Sequence, residues 1–248
     1  MKIAAAQTNP KDGNLDSNLL APKRLAELAA DNGVQLVVFP EMSLTGYLME
    51  LANENSFTEN DTRLEILQQI SSKRNIIIIA GAPVKIECKV YIGSFILFPD
   101  RSISIYTKQF LHTGEEKFFS PSFDYNPVIE LEGERITLAI CADITNPIHP
   151  ANAHKNKSTL YIPSIFYTPN GIAEAYEQLS TYSKSYSMNV LMANYGGESN
   201  GLPSAGKSVF WDTTGKMITA IEGTGEGLIL LSKEKENWTG RTIMTSIH

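Results

Sequence analysis

Short apolar runs alternate along the chain with segments whose apolar residues recur at helical spacing. The short runs are rich in β-branched residues and stop at turn residues, which is typical of strands in a buried sheet. They predict strands over residues 2–7, 35–39, 75–81, 136–140, 159–163 and 190–193. The helical spacing predicts helices over residues 18–30, 62–73 and 172–187, and the segment around Asn152 also permits a helix.

Two further pairs of closely spaced strands predict antiparallel hairpins, at residues 95–106 and 208–221. The run 75–81 is apolar at every position but its first, so it predicts a central strand. Helices on both sides of mixed sheets indicate a layered α/β architecture. Because neither a linker nor a repeat interrupts the pattern, residues 1–248 are expected to form a single domain.

Composition narrows the partners and the compartment. The chain has 248 residues and a net charge of -6, so it lacks the basic surface expected of a protein that binds nucleic acid or an anionic membrane. No apolar run has the length of a membrane span, and Gln7 interrupts the first one before a signal peptide could form. Cys88 and Cys141 provide no disulfide framework, which indicates a reducing, cytoplasmic location.

A glutamate follows the second predicted strand, in Phe39-Pro40-Glu41. Loops at strand ends converge on a rigid sheet, so sites gather there. In this apolar neighbourhood a desolvated Glu41 would have a raised pKa and could act as a general base or acid near neutral pH. The alternative is that Glu41 caps the next helix or points to solvent.

Lysine 108 stands at the end of the first hairpin, where a lysine is usually a solvated edge charge. If Lys108 points inward, its ammonium could stabilise an oxyanion, and Glu115 or Glu116 would supply a second carboxylate to orient it.

A cysteine ends the apolar run 136–140. A free cysteine there is most often a small core residue. A functional Cys141 would need a tight turn, an exposed sulfur and nearby positive charge. Cys88 lies in a polar stretch and is given no role.

Three segments resemble, in this order, motifs of the nitrilase, or carbon–nitrogen hydrolase, superfamily. They are Phe39-Pro40-Glu41, Tyr106-Thr107-Lys108 and the apolar strand ending at Cys141. Each motif alone is weak, but the ordered set is specific. The resemblance covers nearly the whole chain, through further blocks at residues 3–7, 44–47, 79–81, 115–121, 193–197 and 205–215.

This resemblance implies a Glu-Lys-Cys triad carried by Glu41, Lys108 and Cys141, with a second glutamate in the loop after the lysine. That role is placed on Glu115, and Glu116 stays an alternative because the loop differs in length among branches. The implied fold is a four-layer α-β-β-α sandwich of the nitrilase type, commonly assembled as a homodimer or higher homo-oligomer. The implied activity is hydrolysis of a non-peptide C–N bond, in a small linear amide or N-carbamoyl compound, without a metal or other cofactor.

In the implied mechanism, Glu41 takes the Cys141 proton and the thiolate attacks the substrate carbon. Lys108 and the backbone N–H of Ala142 stabilise the oxyanion, and a thioester forms that water then hydrolyses. A Cys-His hydrolase is the rival interpretation, because His149 follows the Cys141 strand closely. That reading leaves Glu41 and Lys108 without a role, so His149 is instead expected to line the pocket, to contact substrate, or to be a plain loop residue.

The chain also departs from the family pattern. Many relatives have Cys-Tyr-Asp or Cys-Trp-Glu where this chain has Cys141-Ala142-Asp143, so their substrate preferences do not transfer directly. An Arg-Ala-x-Glu-Asn segment of many relatives is replaced by residues 182–186, which puts the oligomer geometry in doubt. Tyr47 and Phe166 are expected to line an apolar part of the pocket, or to be core aromatics.

Three function classes remain open. The leading one is the amidohydrolase. The second is an N-acyltransferase in which an amine resolves the same thioester, and the third is a catalytically idle binding protein that keeps the fold. The intact set of Glu41, Lys108 and Cys141 argues against the idle protein.

Overall fold

The structure is a computed structural model that describes residues 1–245. Its four α-helices are α1 (Leu15–Asp31), α2 (Glu65–Arg74), α3 (Ile148–Lys155) and α4 (Ile172–Tyr186). Its strands are β1 (Lys2–Gln7), β2 (Leu36–Val38), β3 (Ile77–Ile86), β4 (Lys89–Leu97), β5 (Ile103–Thr107), β6 (Ile129–Leu131), β7 (Glu134–Ile140), β8 (Leu160–Ile165), β9 (Asn189–Asn194), β10 (Glu198–Ser199), β11 (Leu202–Pro203), β12 (Val209–Trp211), β13 (Met217–Ala220), β14 (Gly227–Glu234) and β15 (Asn237–Met244).

Two large mixed sheets form the centre of the molecule. The first has the spatial order β15-β14-β1-β2-β3-β4-β5, and the second has the order β13-β12-β9-β8-β7-β6. Strands β1, β2 and β3 run parallel, as do β7, β8 and β9, and the flanking strands pair antiparallel. Strands β10 and β11 form a separate two-stranded ribbon.

The apolar side chains divide among three cores, and these define the layers. Between the sheets, Ile3 and Leu36 of the first sheet pack in one cluster with Ile136 and Ile162 of the second. A second cluster lies under α1 and α2, and a third lies under α3 and α4. The order is therefore helices, sheet, sheet, helices, which confirms the predicted α-β-β-α sandwich.

Most predicted elements are present, with shifted ends. Helix α1 begins three residues before its predicted start, because the Asn14 side chain accepts a hydrogen bond from the Ser17 backbone N–H and caps it. Strand β3 is central, as predicted, but continues to Ile86 because its last residues pair with β4. The β3–β4 hairpin was not predicted, and neither was the hairpin of β14 and β15 near the C-terminus.

Within residues 1–245, no helix is both long and apolar enough to cross a membrane.

Candidate active site

Cys141 stands at the turn that follows β7. Its backbone φ of 40° lies in the left-handed region, which is uncommon for a residue with a side chain. Such a conformation costs about 1–3 kcal/mol and persists only where the surroundings enforce it. A 3₁₀ turn over Cys141–Thr145 begins there, and the Cys141 side chain contributes to the wall of a cavity.

Glu41 lies just beyond β2 and is completely buried. Its Oε1 accepts a hydrogen bond of 2.9 Å from Lys108 Nζ. Its Oε2 has no hydrogen-bond partner among the residues that the structure describes. The turn packs directly on Gly81, where an added Cβ would lie 2.6 Å from the Met42 nitrogen. The close approach explains why a glycine ends the apolar run of the neighbouring strand.

Lys108 follows β5 and is fully buried between two carboxylates. Its Nζ lies 2.8 Å from Glu115 Oε1, and the other oxygen of Glu115 accepts the backbone N–H of His112 at 2.7 Å. The Tyr47 hydroxyl also donates to Glu115 Oε1. Glu116, by contrast, is exposed and, within residues 1–245, accepts only the Gly114 backbone N–H, at 2.6 Å. Of the two candidate glutamates, the structure places Glu115 beside the lysine.

Burial and mutual charge set the protonation of this group. Burial raises the pKa of Glu41 to about 7, with Lys108 opposing the shift and Glu115 adding to it. Burial disfavours the charged form of Lys108, but the neighbouring carboxylates and Cys141 together raise its pKa, so the ammonium persists. Burial is the largest cause that raises the pKa of the Cys141 thiol, and the negative charge of Glu41 is the second largest. At neutral pH the resting site therefore combines a thiol, an ammonium and a glutamate that is close to half-ionised.

Glu41, Glu115 and Cys141 meet at a cavity of about 240 Å³, and Lys108, bonded to both glutamates, is outside its described lining. The described lining residues are Glu41, Tyr47, Met49, His112, Thr113, Glu115, Cys141, Phe166, Thr168, Asn200 and Leu202. Two glutamates are its only acidic lining residues, and this described lining includes neither an arginine nor a lysine. Tyr47 and Phe166 line the cavity with their rings stacked at 6.0 Å between centroids, and their contact with substrate stays a prediction.

Asp12, to which the sequence analysis assigned no role, holds the cavity rim together by hydrogen bonds. Asp12 Oδ2 accepts the backbone N–H of Asn200, on the turn between β10 and β11, at 2.6 Å. Its Oδ1 accepts the backbone N–H of Tyr47 at 3.1 Å and the hydroxyl of Ser199. One carboxylate thus ties the ribbon to the loop that carries Tyr47. No local sequence signal links Asp12 to residues so far along the chain.

His149 lies in α3 and outside the described cavity lining, so the expectations that it lines the pocket or is a loop residue are wrong. It is buried, with Nε2 2.8 Å from the Tyr106 hydroxyl and Nδ1 2.8 Å from the Tyr161 hydroxyl. His149 was expected in the pocket because it is near Cys141 in the sequence, but α3 places its side chain between Tyr106 of the first sheet and Tyr161 of the second. Ala142 is buried beside Cys141, and its backbone role stays a prediction. The other histidine near the site is His112, at the exposed rim.

No group of three or more potential metal-ligating side chains occurs together among residues 1–245. Cys88 is exposed in the turn between β3 and β4.

Comparison with known proteins identifies the family of this chain. The carbon–nitrogen hydrolase family model matches residues 2–233. A nitrilase of Pyrococcus abyssi is 25% identical over 238 residues, covering 91% of this chain and 87% of the relative. A glutamine-dependent NAD(+) synthetase of Thermotoga maritima is 25% identical over 228 residues, covering 88% of this chain but 39% of the synthetase. The chain therefore spans well under half of that relative's length.

Among solved structures, an amidase from Nesterenkonia sp. AN1 superposes with a TM-score of 0.85. The two chains are 22% identical, and the match covers 95% of this chain and 93% of the amidase. That likeness shows the fold, and the family match shows an amidase-like hydrolase with a catalytic cysteine. The chain belongs to the carbon–nitrogen hydrolase family.

Proposed function

We propose that the protein hydrolyses small, electrically neutral amides through a thioester on Cys141. The observation that carries this proposal is the convergence of Glu41, Lys108, Glu115 and Cys141 at a small cavity whose other described lining is largely uncharged. Cys141 is the nucleophile, Glu41 is the base, Lys108 stabilises the oxyanion, and Glu115 keeps Lys108 charged and oriented.

The protonation states support a general-base mechanism in preference to a preformed thiolate. Because the pKa of the Cys141 thiol is raised, the resting nucleophile carries its proton. Glu41 has a pKa of about 7 and an oxygen without a hydrogen-bond partner among the described residues, so it can accept that proton as the sulfur attacks. The sulfur forms a bond to the amide carbon, and the carbonyl electron pair moves to oxygen.

The negative oxygen then lies near the Lys108 ammonium, with the backbone N–H of Ala142 as the second proposed donor. Glu41 returns its proton to the departing nitrogen, the C–N bond breaks, and ammonia or an amine leaves. A water molecule gives a proton to Glu41 and attacks the thioester. The bond from the carbonyl carbon to sulfur breaks, the carboxylic acid is released, and Glu41 passes the proton it took from water to the Cys141 sulfur, which restores the thiol.

The cavity favours neutral amides over substrates that carry a carboxylate. A bound carboxylate is ordinarily paired with an arginine or a lysine, and the described lining offers neither. Glu41 and Glu115 would instead repel it. We therefore prefer a small linear amide to an N-carbamoyl amino acid, although both fit the family.

Matched substrates test this proposal. Butyramide and succinamate have the same amide and similar length, but succinamate ends in a carboxylate. We expect ammonia release from butyramide, release from succinamate that is lower by at least about 100-fold, and none from Cys141→Ala with either. A mass increase equal to the butyryl group should appear on the intact protein and be absent in Cys141→Ala. Faster release from succinamate or from an N-carbamoyl amino acid would contradict the substrate class, and turnover by Cys141→Ala would contradict the nucleophile.

A cytoplasmic location and a homodimer or higher homo-oligomer complete the proposal. The cysteine usage and family resemblance support these two properties. Gel filtration with light scattering checks the oligomeric state, and a monomeric mass at working concentration would contradict the assembly.

A further inference from the structure

Behind the nucleophile lies a buried polar cluster that the proposed reaction does not use. It consists of Asp143, Tyr106, His149 and Tyr161, all buried. The Asp143 carboxylate is completely buried and accepts four hydrogen bonds. A buried carboxylate with so many donors is held in one orientation.

The four donors come from the two segments that carry the reactive groups. Asp143 Oδ1 accepts the backbone N–H groups of Gln109 and Phe110, both at 2.9 Å, and Gln109 directly follows Lys108. Asp143 Oδ2 accepts the backbone N–H of Ile140 at 2.8 Å, and Ile140 directly precedes Cys141. One side chain therefore joins the lysine segment to the nucleophile turn.

The hydrogen bond to Ile140 also encloses the strained residue. Cys141 lies between Ile140 and Asp143, and its positive φ is an unfavourable backbone conformation. The bond from Asp143 back to the Ile140 backbone N–H closes a short loop around it. This loop fixes the direction in which the Cys141 sulfur leaves the backbone.

The tyrosines and the histidine complete the cluster with a single consistent arrangement of protons. The Tyr106 hydroxyl has one hydrogen, which it donates to Asp143 Oδ2 at 2.7 Å. His149 Nε2 must then carry the proton and donate to the Tyr106 oxygen. The unprotonated Nδ1 accepts from the Tyr161 hydroxyl. Every group is satisfied with His149 neutral, which agrees with its burial.

We propose that Asp143 is a positioning residue that sets the placement of Cys141 relative to Lys108, with Tyr106, His149 and Tyr161 fixing the orientation of its carboxylate. The inference concerns the same reaction and so rests on the proposed function. Asp143 lies outside the described cavity lining, and it acts through the backbone of its neighbours.

The matched substitution is Asp143→Asn, which keeps the shape but replaces one acceptor with an amide that donates. That amide would face either the Ile140 N–H or the Gln109 and Phe110 N–H groups. Either the nucleophile turn or the lysine segment therefore loses its hydrogen bonds to residue 143. Because displacement by about 1 Å can cost on the order of 100-fold in rate, we expect kcat for butyramide to fall about 100-fold with KM changed by less than about threefold.

Tyr106→Phe is the second variant, because it removes one of the four hydrogen bonds and keeps the ring. We expect kcat to fall by about tenfold at unchanged KM, and the thermal midpoint to fall modestly because the buried His149 Nε2–H loses its acceptor. Ser71→Ala is the control for loss of a buried hydroxyl elsewhere, since Ser71 is fully buried in α2 and donates only to the Leu97 carbonyl, at 3.1 Å. Its kcat should equal that of the parent protein.

Alkylation of Cys141 by iodoacetamide, followed by intact mass in a Cys88→Ser background, gives a readout that does not need amide turnover, since the exposed Cys88 would otherwise be alkylated as well. Both Asp143→Asn and Tyr106→Phe should be alkylated more slowly than the parent, and Ser71→Ala at the parent rate. A parent protein that is inactive on amides would count against the proposed function, while the alkylation rates would still decide this proposal.

Parental kcat and alkylation rate in folded Asp143→Asn would overturn the proposal. If Asp143→Asn does not fold, parental values in Tyr106→Phe would overturn it, and a slower rate at unchanged KM, measured at a temperature where the variant is fully folded, would support it. If kcat and the alkylation rate fall in the same proportion to the thermal midpoint in Tyr106→Phe and in Ser71→Ala, the role of Asp143 is merely structural. That result would also overturn the proposal.

Discussion

The second carboxylate gives a direct test of the charge arrangement in the site. Substitution of Glu115 by Gln removes one negative charge and keeps a side chain of the same length. Glu115 contributes to the raised pKa of Glu41, although burial is the larger cause. Removing its charge should therefore lower the pKa of Glu41. Since Glu41 must be ionised to act as a base, the acid limb of the pH profile of kcat/KM should move to lower pH.

The geometry gives the size of the shift. Glu41 Oε1 and Glu115 Oε1 lie 2.9 and 2.8 Å from the same Lys108 nitrogen, so they are at most about 5.7 Å apart. At an effective dielectric constant of about 20, two unit charges at that separation interact by roughly 3 kcal/mol, or about two pKa units. Relaxation and water entry reduce this, so we expect a shift of about one to two pH units from a limb near pH 7 in the parent protein.

The assay is the pH dependence of kcat/KM for butyramide, between about pH 4.5 and 9. The parent rate should fall as the pH drops through about 7, because Glu41 becomes protonated there. Glu115→Gln should also have a lower maximum rate, since Lys108 loses a partner that orients it. The position of the limb and the height of the plateau are separate measurements, so the loss of rate does not obscure the shift.

Glu116→Gln is the matched control, because Glu116 is adjacent, exposed and without a contact to Lys108 among the described residues. Its limb and plateau should match those of the parent. An acid limb at the same pH as in the parent, or at a higher pH, in Glu115→Gln would refute the electrostatic reasoning. A shift in Glu116→Gln of the same size would show that the wrong glutamate was assigned.

Three further changes test other parts of the structure. Glu41→Gln should abolish butyramide turnover without changing the thermal midpoint, and retained turnover would redirect attention to a histidine as the base. Asp12→Asn should raise KM by about tenfold at similar kcat, because it weakens the tie to the Asn200 backbone at the cavity rim, and an unchanged KM would show that the ribbon does not shape the site. Leu25→Ala, on the buried face of α1, should lower the free energy of unfolding by about 2–5 kcal/mol in a denaturant titration, with KM preserved. A loss below about 1 kcal/mol would contradict the tight packing of that core.

The sequence was informative where function depends on local pattern. Glu41, Lys108 and Cys141 each follow an apolar strand, and strand ends can be read from a run of a few residues. Their convergence could not be read in this way. It depends on the stacking of two sheets, and only the family resemblance supplied the expectation that the three residues act together. The single domain over residues 1–248 stays a prediction.

Features that depend on distant partners escaped prediction. Asp12 and Ser199 are 187 positions apart, and their contact at the rim has no signature in either segment. His149 was assigned to the pocket because it is near Cys141 in sequence, but a helix places it between two buried tyrosines from different strands. Asp143 was noted only as part of a motif, since four backbone and hydroxyl donors around a carboxylate become visible only in the folded chain.

The proposed mechanism explains why the site contains two carboxylates around one lysine. With Glu41 ionised, the buried group of Glu41, Lys108 and Glu115 carries one net negative charge. When Glu41 takes the Cys141 proton, that charge moves to the sulfur and then to the substrate oxygen, so the total does not change during the attack. Protonation of Glu41 removes a negative charge from beside Lys108 as the oxyanion forms, so the ammonium then interacts with the oxyanion. Glu115 keeps its charge throughout and holds Lys108 protonated and in place, which is why its removal should change both the rate and the pH at which Glu41 acts.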